Sequence, residues 1–77
     1  MANTDSWFDP AANKAIEEAE DCGRLIEIVR GEEGWTRTQL AEASNVSEAD
    51  VENFEQGRVS PIEPLFTNFL RAMGRTS

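Results

Sequence analysis

Between Glu32 and Glu55 the chain places seven carboxylates and a single basic side chain, Arg37. Carboxylates at this density can move protons or meet a basic surface, and the neighbouring residue types decide between the two. Proton-transfer and nucleophilic chemistry lack their partners. The sequence contains no histidine, its one cysteine, Cys22, has no base to activate it, and no glycine-rich phosphate loop occurs. Paired carboxylates are plentiful only because the whole chain is acidic, so no enzymatic activity is expected. One Cys and no His also leave a thiolate or imidazole metal site without ligands, and no metal or cofactor is expected. Cys22 reads as a packed seam residue.

These side chains need elements to hold them, and the apolar spacing supplies helices. Asp9 and Pro10 make a helix start, cap followed by first-turn proline. From there Ala12, Ala15, Ile16, Ala19, Cys22, Ile26 and Val29 recur every three or four residues, which predicts one long helix to about Arg30 or two broken at Gly23. Glu17, Glu18, Glu20 and Asp21 fill its outer face. Gly31-Glu32-Glu33-Gly34 reads as a connector. Thr36 and Gln39 have the spacing of a capping box that opens a second helix, 37–43, with Leu40 and Ala41 inward. Ser44-Asn45-Val46 interrupts, and Ser47 caps a third helix carrying Val51 and Phe54 inward until Gly57. A last helix is expected over 62–73, with Pro64 a competing start and Leu65, Phe66, Phe69, Leu70 and Met73 on its buried face.

The expected fold is therefore all-α, a small bundle of four or five helices with a helix-turn-helix at 36–57. Residues 9–74 form one domain behind a disordered tail at 1–8, with an additional N-terminal helix at 10–22. A chain of 77 residues, 39% hydrophobic and 29% charged, fits a soluble globular class; a domain this short buries only about 60% of its unfolded surface. No apolar run approaches the roughly 18 residues of a membrane span, and the N-terminus lacks the basic and apolar regions of a secretory signal, so a cytoplasmic location is expected.

Gly34-Trp35-Thr36-Arg37-Thr38-Gln39-Leu40-Ala41-Glu42, then Asn45-Val46-Ser47, Val51, Phe54-Glu55-Gln56-Gly57-Arg58, Ser60-Pro61 and Leu65 together resemble the Cro and phage-repressor family, the XRE-like helix-turn-helix proteins. The resemblance spans about Gly23 to Gly74 and implies a lambda-repressor-like fold with Leu40, Ala41, Val46, Val51 and Phe54 as core positions. It also implies a buried ion pair between Arg30 and Glu55, joining the first family helix to the end of the reading helix. Residues expected to face DNA or a partner are Arg37, Glu48, Ala49, Asp50, Glu52, Asn53, Gln56 and Arg58. Two departures stand out: the family's usual glutamine at the start of the second helix is Arg37, and the outward positions of the reading helix are acidic. The N-terminal helix is expected to cover the core where a fifth family helix would lie, or to form a dimer or partner interface.

The charge balance decides between the functional classes that the resemblance offers. With fifteen acidic and seven basic residues, a net of −8, the bulk field opposes a phosphate backbone, whose binding depends on Lys and Arg displacing counterions. A carboxylate about 4 Å from a phosphate is repelled by ~1 kcal/mol in bulk water and ~4 kcal/mol at an effective dielectric near 20. A groove code exists on paper, with Arg37 for guanine, Glu48 for cytosine N4, Ala49 for a thymine methyl and Asn53 for adenine. It has little grip, since base contacts specify while phosphate contacts hold. The favoured expectation is a regulator that binds a basic protein partner, as an antiactivator, antitoxin or DNA mimic. The alternative is a conventional dimeric DNA-binding transcriptional regulator.

Overall fold

The computed structural model describes residues 10–75, with side chains from Lys14 onward. The expected tail at 1–8, the Asp9 cap and the side chain of Ala12 lie outside the described residues. Among the residues described, the architecture is all-helical: α1 (Pro10–Glu32), α2 (Arg37–Ser44), α3 (Glu48–Glu55) and α4 (Leu65–Ala72).

The additional N-terminal helix does not stop at 22. It runs through Gly23 and over the first half of the expected 31–34 connector to Glu32. Gly23 serves a different purpose from a break: a β-carbon there would stand 2.2 Å from the Phe54 carbonyl oxygen and 2.9 Å from that of Glu55. The glycine lets α1 cross the end of α3 backbone to backbone, and that packing offsets the ~1 kcal/mol a mid-helix glycine costs. The inward stripe also starts later than the periodicity suggests. Ala19, Ile26 and Val29 are buried and Cys22 packs beside them, whereas Ile16 is 55% exposed. Burial pushes the Cys22 thiol up from its ordinary value, with Glu18, Asp21 and Glu63 adding to the effect.

Both short central helices begin with reciprocal caps. Thr36 Oγ1 accepts from the Gln39 backbone N–H while the Gln39 side chain accepts from the Thr36 N–H; Ser47 and Asp50 repeat the arrangement for α3. The turn between them rests on Asn45 in the left-handed region (φ 60°), which lets the Val46 N–H reach back to the Ala41 carbonyl at 3.0 Å. At the other end of α3, Gly57 (φ 77°) plays the same part, with the Arg58 N–H on the Asn53 carbonyl at 2.9 Å.

Leu40, Val51, Phe54 and Phe69 interlock with Ile26 at the centre of the bundle, all at most 1% exposed. Phe54 meets Phe69 edge to face at 5.1 Å between centroids and lies nearly parallel to Phe66 at 6.2 Å. Val46 and Leu65, expected in the same core, sit half-buried at its margin.

The last helix starts at Leu65 rather than 62. Proline at 61 and 64 disfavours helical backbone at the preceding residues, Ser60 and Glu63. Pro64 occupies the N-cap position and offers no side-chain cap. Glu63 substitutes for one. Its carboxylate accepts from the Thr67 hydroxyl at 2.7 Å and the Thr67 backbone N–H at 3.0 Å, and both bonds hold its carboxyl below the usual glutamate range. A folded pKa below the unfolded one gives stability that is present above the unfolded value and lost as pH falls through the folded one. The first turn of α4 is thus expected to loosen on acidification below the ordinary glutamate pKa of about 4.3. Thr67 amide protection, the ratio of intrinsic to observed exchange rate, followed against pH by NMR, checks this; the pH dependence of that protection should vanish in Glu63→Ala.

Candidate interaction face on the second and third helices

The site is built around one carboxylate. Glu55 ends α3 with its side chain 1% exposed, and Arg30 of α1 donates Nε to Oε2 at 2.6 Å and Nη2 to Oε1 at 3.3 Å. The Arg30 guanidinium gives a further N–H, from Nη1, to the Trp35 carbonyl at 2.9 Å. This pair therefore ties the end of α1, the loop behind it and the end of α3 into one unit. Removing one member of such a pair strands a charge, which for deeply buried pairs costs about 3–5 kcal/mol.

Arg37 joins the same carboxylate. From the first position of α2 its Nε donates to Glu55 Oε1 at 2.9 Å, and its side chain is 36% exposed. The Glu55 hydrogen bond raises the Arg37 pKa further above its ordinary value, so the guanidinium stays charged throughout the accessible pH range. The residue expected to read a base instead turns inward to a carboxylate.

Three acidic side chains remain on the outer surface of α3, and each has a local partner. Glu48 accepts a hydrogen bond from the Thr38 hydroxyl, linking α3 to α2. Asp50 completes the Ser47 cap, accepting from the Ser47 N–H at 3.2 Å, and Glu52 accepts from the Gln56 amide at 3.2 Å. Ala49, Gln56 and Arg58 are exposed, while Asn53 is half-buried. No basic residue occurs within α3. The expected surface residues thus lie on one stretch of α3 and its flanks, with Arg37 drawn aside.

Two members of this arrangement carry local signals in the sequence. Ser47 and Asp50 fit the S/T-x-x-D/E capping pattern, and Glu52 precedes Gln56 by one helical turn. The capture of Arg37 by Glu55 and the Thr38–Glu48 link have no such signal, because both bring together residues from different helices.

Among the described residues, no helix is long and apolar enough to cross a membrane. Residues 21–77, more than half of the chain, match the family model of the helix-turn-helix domain, and the chain belongs to that family. A stretch of 37 residues is 40% identical to a competence pilus inhibition repressor of Acinetobacter baylyi (strain ATCC 33305 / BD413 / ADP1). That stretch is 48% of this chain and 34% of the Acinetobacter protein, so the chain spans about a third of that relative's length. No solved structure matches the chain.

Proposed function

We propose that this chain is a regulatory helix-turn-helix protein that controls transcription or a related DNA transaction by presenting the outer face of α3 to a basic protein partner. The observation that carries the reading is the exposure of Glu48, Asp50 and Glu52 on a helix with no basic residue, within a helix-turn-helix fold. Non-specific DNA affinity corresponds to a Kd of roughly 10⁻⁴–10⁻⁶ M, and at an effective dielectric near 20 two or three carboxylates about 4 Å from phosphates are enough to cancel it. A basic partner turns the same charges into attraction, which speeds encounter and fades as salt rises. Proteins whose DNA-binding surface is itself cationic are the natural class of partner, as an activator, a toxin or a nuclease would be.

A second reading draws on the word repressor in the name of the Acinetobacter protein: a dimer that binds operator DNA directly. One comparison separates the two. Binding of an arginine-rich synthetic peptide and of palindromic and mixed-sequence DNA duplexes is measured across a salt series, for the wild type and for Glu48→Gln/Asp50→Asn/Glu52→Gln. Peptide binding that weakens with salt and is lost in the triple variant is expected. The fold should be unchanged, because a side-chain amide in place of the Asp50 carboxylate can still accept the capping bond. Nanomolar binding of a palindromic duplex at physiological salt, lost in Asn53→Ala, would overturn the reading.

A further inference from the structure

We infer that Glu55 withholds Arg37 from anionic ligands, and that this capture sets which class of partner the α2–α3 face admits. The inference deepens the proposed function and rests on that face being the binding surface.

Arg37 stands at the first position of α2, where the positive end of the helix dipole disfavours a cation. Nothing in α2 calls for a guanidinium there, and the buried Glu55 carboxylate does. That carboxylate already holds Arg30 through two N–H groups, so Arg37 is a second cation on a single anion. The Arg37 side chain is 36% exposed and within reach of solvent, yet its Nε is turned inward.

The capture changes what an approaching surface meets. From Arg30 to Arg58 the basic side chains are Arg30, Arg37 and Arg58. Two of these three are committed to Glu55. A phosphate or carboxylate that takes Arg37 through Nε must first break a charge-assisted hydrogen bond, and one that takes it through the Nη groups must come to the guanidinium where Glu55 holds it, beside a carboxylate. At a half-exposed site this corresponds to roughly tenfold in affinity, the lower end for such bonds. A basic partner meets no such penalty, because Arg37 stays where it is.

The salt dependence of DNA binding reads this directly, since each phosphate contact adds about 0.9 to the slope of log K against log salt. Measurement uses the full chain, a mixed-sequence duplex and the Glu48→Gln/Asp50→Asn/Glu52→Gln background, in which repulsion is reduced enough for binding to be followed. Adding Glu55→Gln is expected to steepen the slope by about one and raise low-salt affinity roughly tenfold. Adding Arg37→Ala on top should cancel both changes, whereas Arg37→Ala with Glu55 intact should leave the slope unaltered. An unchanged slope in Glu55→Gln, or a slope reduced by about one in Arg37→Ala alone, would overturn the inference.

Should Glu55→Gln fail to fold, the Nε–H NMR signal of Arg37 in the same triple background replaces it. That signal is expected to hold its position on saturation with duplex, and a shift would mean that Arg37 leaves Glu55 for phosphate. The arginine-rich peptide distinguishes the two proposals. Absence of peptide binding by the wild type, with slopes as expected, removes the basic-partner reading and leaves the capture standing, and peptide binding by the wild type with slopes that differ from those expected removes the capture alone.

Discussion

Gly23→Ala is expected to cost about 3 kcal/mol or more of folding stability, a large share of what so short a chain possesses. The added methyl would lie 2.2 Å from the Phe54 carbonyl oxygen and 3.0 Å from the Glu55 carbonyl carbon. Both are backbone atoms, so no rotamer change relieves the clash and α1 must draw away from α3. Separation would also strain the Arg30–Glu55 pair, which bridges the same two helices. A loss of that size lowers Tm by roughly 12–24 °C for a domain of 60–100 residues. Thermal unfolding followed by circular dichroism checks it. Gly31→Ala is the internal control: it lies in the same helix with nothing within 4 Å of the added carbon, and alanine there should be neutral or stabilising by up to ~1 kcal/mol. Equal losses at both positions would sink the close-approach account.

Phe54→Ala should destabilise by about 3–5 kcal/mol, by removing a fully buried ring and leaving a cavity that the surrounding helices can only partly close. The ring is 1% exposed and lies between Phe66 and Phe69, so its loss takes both aromatic contacts with it. In urea the midpoint should fall with little change in slope, as stability changes without a change in the surface exposed on unfolding. A double-mutant cycle with Phe69→Ala should return a coupling of about 0.5–1.5 kcal/mol for the edge-to-face pair. Zero coupling would mean that the two rings contribute only as separate apolar volumes.

Local chemistry was legible in residue types and spacing, whereas chemistry across helices was not, apart from the Arg30–Glu55 pair that the family resemblance implied. The Thr36–Gln39 box, the Ser44-Asn45-Val46 interruption and the inward positions Leu40, Val51 and Phe54 all follow from residue type and spacing within a few residues. Gly23 could not be read the same way. Helical periodicity does not tell a glycine that ends a helix from one that admits a neighbouring backbone, since the neighbour lies far along the chain at Phe54 and Glu55. Ile16 illustrates the same gap, because its spacing suits an inward stripe and yet, among the described residues, it is left 55% exposed at that point along α1. On the candidate face, the family resemblance implied that Glu48, Asp50 and Glu52 point outward, and all three are exposed. Arg37 looked equally outward as the first residue of a short helix, and only the meeting of three helices at Glu55 shows where its Nε points.

The local bonds of the three outer carboxylates have a consequence for the entropy of association. Thr38, the Ser47 amide and Gln56 each hold one of them, so Glu48, Asp50 and Glu52 sample fewer rotamers in the free protein than long exposed acidic side chains ordinarily do. Freezing such side chains is part of what any complex must overcome. Here much of that ordering is complete before encounter, and each carboxylate still keeps lone pairs free for a second donor. On the proposed function, selectivity would come from spacing as well as charge: a cationic surface whose donors match the three held positions would bind with little reorganisation, and one that matches only in net charge would first disturb the bonds to Thr38, Ser47 and Gln56.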